Sequence, residues 1–224
     1  MVALVTGGCS GLGASFTKEL LNRGYKVYAL YNSSDEAASK MMNEYSRLEC
    51  IKCDIRDEES VSKIISKIEK IDLVINNAGI AIDNDFNDKT YNEFMEVMSV
   101  NVGGMFNIIK YASRKMNDGV IINISSDNSL GNHTRLSIDY DCSKAAVNML
   151  TVNFGDNLDN VKVVAYAPGW INTPSVKEMN PKYLASELAR VKQEKLIEPD
   201  ELVKVILDDV RFQNSGSVIP ISEV

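Results

Sequence analysis

The sequence predicts a single α/β domain, a doubly wound, mostly parallel sheet of about seven strands with helices on both faces. Three observations predict it. Strand-like and helix-like segments alternate from end to end of the chain. The strand-like segments are almost wholly apolar, as strands covered on both faces are. No shift in composition divides the 224 residues, so one domain spans 1–224.

The elements follow in order. Val2–Thr6 is an apolar run stopped by glycines, and Leu12, Phe16 and Leu20 then recur at helical spacing. Val27–Tyr31 is strand-like and ends in the polar turn Asn32-Ser33-Ser34, with Asp35 placed to cap the next helix. A third apolar run ends at Asp54. Asp57 caps a helix whose Val61, Ile64, Ile65 and Ile68 share one face. Leu73–Ile75 is a strand, residues 91–116 form a long helix, and Val120–Ile124 is a strand. Tyr140–Phe154 is helical, Val161–Tyr166 a strand, Pro199–Leu207 a helix and Ser217–Ile221 the last strand. Repeats and low-complexity tracts are absent.

Composition excludes several functions. A net charge of −7 gives no electrostatic support for nucleic-acid binding. No stretch approaches the roughly 18 apolar residues of a membrane span. Met1 runs directly into Val2-Ala3-Leu4-Val5, too short and too uncharged for a secretory leader, so the expected location is cytoplasmic. Cys50 and Cys53 form a CxxC, but on a strand two residues three apart face opposite sides. With His133 the only histidine, no metal site is expected.

The first chemical motif is Thr6-Gly7-Gly8-Cys9-Ser10-Gly11-Leu12-Gly13, between the first strand and the first helix. Glycines let backbone turn sharply and approach a pyrophosphate, which the helix N-terminus then meets with N–H groups. The second is Tyr140-Asp141-Cys142-Ser143-Lys144. Four helical residues turn through about 400°, so Tyr140 and Lys144 share a face about 6 Å apart along the axis. The ammonium is expected to lower the phenol pKa, so that Tyr140 exchanges a proton with a substrate oxygen and alcohol oxidation rises with pH. Tyr111 and Lys115 repeat the spacing. They precede the Val120–Ile124 strand and are read as an ordinary helix face.

With these motifs the chain resembles the ordinary single-domain branch of the short-chain dehydrogenase/reductase family, over nearly its whole length. Asn76-Asn77-Ala78-Gly79, Ile122-Asn123-Ile124-Ser125-Ser126, Pro168-Gly169-Trp170-Ile171-Asn172-Thr173 and Ser217-Val218-Ile219-Pro220 match further family segments in order. The resemblance implies a Rossmann-like fold and an oxidoreductase that moves hydride between a nicotinamide cofactor and a carbonyl or alcohol. A 3-oxoacyl thioester is one substrate it allows. It implies Asn101, Ser126, Tyr140 and Lys144 as catalytic residues. Ser126 lies 14 residues before Tyr140, and Ser125 stays open as the alternative. The implied cofactor contacts are Gly7, Ser10, Gly11, Leu12, Gly13, Asn32, Ser33, Ser34, Asp54, Ile55, Asn77, Ala78, Gly79, Tyr140, Lys144, Pro168, Gly169, Ile171 and Thr173.

Tyr31 stands where an NAD enzyme carries an acid for the ribose 2′-hydroxyl. The Asn32-Ser33-Ser34 turn therefore favours NADP over NAD, although no lysine or arginine is adjacent in sequence. The segment 172–197 is expected to form a substrate lid, its charges read as a solvated helix face. The apolar residues Phe94, Met95, Val97, Met98, Met105, Phe106, Ile108 and Ile109 exceed what one buried face needs, and a homodimer or homotetramer is expected. The readings weighed against the main one are an extended-branch epimerase, an enoyl reductase and a non-catalytic dinucleotide-binding regulator.

Overall fold

The computed structural model describes residues 1–223. Seven parallel strands form one sheet in the order β3-β2-β1-β4-β5-β6-β7. They are β1 (Val2–Thr6), β2 (Lys26–Tyr31), β3 (Leu48–Lys52), β4 (Leu73–Asn76), β5 (Gly119–Ile124), β6 (Val161–Pro168) and β7 (Val218–Ile221). The order reverses between β1 and β4, which opens a crevice beyond their carboxyl ends.

Each face of the sheet buries its own core. On one face Phe16, Leu20 and Leu21 of α1 (Gly11–Asn22) pack with Ala38 and Met41 of α2 (Asp35–Glu44) and Leu202, Val203 and Ile206 of α9 (Pro199–Asp209). On the other, Val61 and Ile65 of α3 (Glu58–Ser66) meet Ile108 and Ile109 of α5 (Met105–Ala112) and Val147 of α6 (Ile138–Asn157). Cys50 packs against the first core and Cys53 belongs to the second, so the CxxC does straddle the sheet.

Two local readings are refined. Asp57 caps α3, accepting from the N–H groups of Glu59 and Ser60 at 3.1 and 3.2 Å. Asp35 does not cap α2. It sits inside the first turn, and its carboxylate pairs with Lys52 at 2.7 Å instead. The helix expected over 91–116 is interrupted. After α4 (Tyr91–Met98) the backbone widens into a π-helical turn over Ser99–Gly104 before α5 begins. The wide turn carries Asn101 on its inner side, 0% exposed. Among the described residues no helix is long and apolar enough to cross a membrane.

Candidate active site

The carboxyl ends of β1, β4, β5 and β6 open into one cavity of about 550 Å³. Its near wall is the glycine loop. Gly7 and Gly11 take φ of +63° and +48°, left-handed conformations open to glycine. Gly13 packs α1 against this loop, since a Cβ there would stand 2.1 Å from the Gly7 carbonyl oxygen. Thr6 Oγ1 accepts from the N–H groups of Asn77 and Ala78, each at 3.0 Å, and Asn77 Nδ2 donates to the Thr6 carbonyl at 3.1 Å. The β1 and β4 ends are thereby fixed to each other.

At the other end α6 brings Tyr140 and Lys144 to the cavity. Lys144 is 3% exposed; its ammonium donates to the Ile124 carbonyl at 2.7 Å and lies 5.4 Å from the Tyr140 ring centre. Ser126 lines the same cavity and faces the Tyr140 hydroxyl. Ser125 also lines the cavity, and its hydroxyl donates to Asn148 Oδ1 at 2.6 Å. Asn101 holds Ile80 through both backbone groups, accepting from its N–H at 2.8 Å and donating to its carbonyl at 2.9 Å. Its Nδ2 also reaches Ser143 Oγ at 3.0 Å. The Tyr111 hydroxyl instead donates to Glu58 Oε1 at 2.8 Å, outside the cavity lining.

The electrostatics differ from the expectation. Loss of water around the Tyr140 hydroxyl pushes its pKa up to about 12. Asp127, Asp141 and Asp83 push the same way, and only Ser126 opposes them. Burial lowers Lys144 to about 8. The ammonium therefore does not make a phenolate in the free protein. Tyr140 is held neutral beside a lysine that keeps its charge only below about pH 8.

The other expected contacts divide into two sets. Ser10, Leu12, Ala78, Gly79, Pro168, Gly169, Ile171 and Thr173 line the cavity with Gly7, Gly11 and Asn77. Asn32, Ser33, Ser34, Asp54 and Ile55 do not. The first three follow the β2 end, Asn32 and Ser33 exposed and Ser34 half-buried, and Asp54 pairs with Arg56 at 2.6 Å. Ile55 is buried against the π-turn, where a Cβ on Gly104 would come within 2.4 Å of it.

Sequence reasoning missed Lys52. Parallel register sets it beside Tyr31, and its ammonium reaches the Asp35 carboxylate next to the Tyr31 hydroxyl. Counting register between the β2 and β3 ends would have found it. The 172–197 segment forms α7 (Pro174–Lys177) and α8 (Pro181–Val191), and its Val176, Met179 and Tyr183 line the cavity. One charge on it departs from the solvated reading. Glu187 is 8% exposed, bound to Arg190 at 2.7 Å, and Arg190 also donates to the Asn132 carbonyl at 3.1 Å.

The family model for short chain dehydrogenases matches residues 1–184. The chain belongs to the short-chain dehydrogenase family. It is 32% identical over 216 residues to an acetoacetyl-CoA reductase of Shinella zoogloeoides, covering 92% of this chain and 89% of that one. It is 31% identical to the 3-oxoacyl-[acyl-carrier-protein] reductase FabG of Thermotoga maritima, covering 98% and 95%. A crystal structure of a dehydrogenase/reductase from Sinorhizobium meliloti 1021 superposes with a TM-score of 0.88 at 27% identity, over 99% of this chain and 93% of that one. As a short-chain dehydrogenase the protein is an NAD(P)-dependent oxidoreductase acting between a carbonyl and an alcohol.

Proposed function

We propose that this short-chain dehydrogenase works as a reductase of a 3-oxoacyl thioester, with Tyr140 as proton donor. The observation that carries the catalytic reading is the convergence of Ser126, Tyr140 and Lys144 on the cavity that the glycine loop opens. The thioester rests on the two reductase relatives.

The cavity suits a dinucleotide at its glycine end. Left-handed Gly7 and Gly11 leave backbone bare, and α1 begins there with free N–H groups for a pyrophosphate. When bound, the nicotinamide supplies the hydride. The residues supply the rest. Ser126 holds the substrate oxygen and steadies its charge as the carbonyl is reduced. Tyr140 delivers the proton to that oxygen. Lys144 offsets the charge left on Tyr140 and would hold the ribose of a bound nicotinamide. Asn101 fixes Ile80 at the cavity wall, so its side chain acts on the site through backbone.

NADP is the cofactor favoured here. Tyr31 carries no carboxylate of its own, Asn32, Ser33 and Ser34 offer donors, and Lys52 sets a cation beside Tyr31 that offsets the Asp35 carboxylate there. The four free cysteines and the cofactor pool fit a cytoplasmic enzyme. The assembly proposed is a homodimer or homotetramer. Met95 and Phe106 are each 42% exposed and Met149 is 59% exposed, an apolar strip along α4, α5 and α6.

The test is a panel of 3-oxoacyl thioesters, simple ketones and the matching alcohols, each with NADPH and NADH, followed by absorbance of the reduced nicotinamide. Preferred turnover of the thioesters supports the reading. Preferred turnover of ketones without a thioester refutes the substrate class and leaves the catalytic roles standing.

A further inference from the structure

Behind the cavity wall, out of reach of any substrate, Lys89 and Asp139 form an ion pair at 2.7 Å. Their side chains are 3% and 0% exposed. A pair removed this far from water is weak evidence for stability, because two desolvated charges regain little more than they lose. What it does provide is fixed geometry, and its partners are informative. Asp139 lies in the first turn of α6, where one carboxylate oxygen accepts from the Tyr140 N–H at 2.9 Å. Its other oxygen takes the Lys89 ammonium, which also donates to the Ile82 carbonyl.

Ile82 belongs to the segment that follows Gly79 along the cavity. Two further ties join that segment to the approach to α6. The Asn84 N–H donates to the Leu136 carbonyl at 3.2 Å, and Arg135 pairs with Asp85 on the surface. The surface pair is readily broken, whereas the buried one is held by its surroundings.

We infer that Lys89 and Asp139 are positioning residues, which lock the helix turn bearing Tyr140 to the opposite cavity wall so that the phenol meets the substrate oxygen at one fixed place. The inference rests on the reading of Tyr140 as the proton donor. Neither residue lines the cavity, and both act through the backbone of Tyr140 and of the 80–85 segment. A misplacement near 1 Å lowers turnover by about a hundredfold while the groups themselves remain.

Removing one charge strands the other, so single neutral variants are poor probes of the chemistry. The test uses Lys89→Met combined with Asp139→Asn, which leaves no orphan charge and keeps an acceptor for the Tyr140 N–H. Lys89→Arg is the conservative partner. Cofactor Kd, kcat, substrate KM and the pH profile of kcat/KM are measured well below each variant's Tm. The double variant is expected to bind NADPH within about twofold of wild type while kcat falls roughly 10- to 100-fold, and Lys89→Arg to recover most of that loss. The pH at which kcat/KM falls stays where it is in wild type. Unchanged kcat with a lowered Tm overturns the inference, leaving the pair purely structural. A displaced pH profile overturns it too, since the pair would then act on the charges of Lys144 and Tyr140, through Asp83, the cavity carboxyl that faces both Lys89 and Asp139. Hydrogen exchange reads the lock without turnover. Residues 80–89 and 136–142 are expected to lose protection together in the double variant, and loss in only one segment is contrary. A wild type that reduces nothing contradicts the proposed function, and the exchange result still decides the lock.

Discussion

The Lys144 ammonium stands 5.4 Å from the centre of the Tyr140 ring and donates to the Ile124 carbonyl at the end of β5. The pair is thus anchored to the sheet as well as to its own helix. Burial acts on the two groups in opposite directions, up to about 12 for the phenol and down to about 8 for the ammonium.

A pH profile follows. Below about pH 8 the free enzyme carries charged Lys144 and neutral Tyr140, the state that can donate a proton. As pH rises through that value Lys144 loses its charge while Tyr140 stays protonated. Carbonyl reduction, read as kcat/KM, should therefore be level at neutral pH and fall near pH 8. Lys144→Arg should move the fall upward, because a guanidinium keeps its charge. A profile that rises through pH 8 would contradict the assignment.

Cofactor choice is tested at the β2 end. Tyr31→Asp places a carboxylate where a 2′-phosphate would sit, and Lys52→Met removes the neighbouring cation. Each should weaken NADPH binding about tenfold and leave NADH binding within about twofold, measured by fluorescence titration. Wild type binding NADH more tightly than NADPH would reverse the reading.

Much of the fold was legible because each strand reads as a short apolar run and each motif falls at a strand end. The π-turn was not. Its Gly103-Gly104 pair weakens a helix without saying that the turn widens, and the widening serves a tertiary purpose, letting Asn101 reach Ile80. Lys52 was invisible for another reason. It is 21 residues from Tyr31 along the chain, and only the β2–β3 register brings the two together. The preference for Ser126 came from its place as the second serine after the strand, and its spacing to Tyr140 left Ser125 open; in the fold both line the cavity, and the Ser125 hydroxyl is bound to Asn148. The direction of the Tyr140 shift also escaped, because helical spacing gives the lysine's nearness and says nothing about desolvation or about Asp127 beside it.

The glycine loop gives a stability prediction. Gly13→Ala would press a methyl against the Gly7 carbonyl oxygen, so either α1 or the loop must move. Thermal unfolding without cofactor should show a loss of about 1–3 kcal/mol, with weakened cofactor affinity. Unchanged stability and affinity would mean that the loop yields freely.

Assembly is tested by light scattering. Wild type should exceed the 24.8 kDa chain mass at least twofold at micromolar concentration. Phe106→Glu with Met149→Glu should shift it toward the monomer, since both side chains are exposed in the single chain. A wild type that is monomeric throughout would contradict the proposed interface.

The central claim is that Tyr140, and not its look-alike Tyr111, moves the proton. The direct measurement compares Tyr140→Phe with Tyr111→Phe in single-turnover reduction, after titration shows that both bind NADPH. Tyr140→Phe keeps the ring and loses only the hydroxyl, so the rate should fall by about two to four orders of magnitude. Tyr111→Phe loses a hydrogen bond to Glu58 at the surface and should react at nearly the wild-type rate. A normal rate in Tyr140→Phe, or abolished reduction in Tyr111→Phe, would contradict the account.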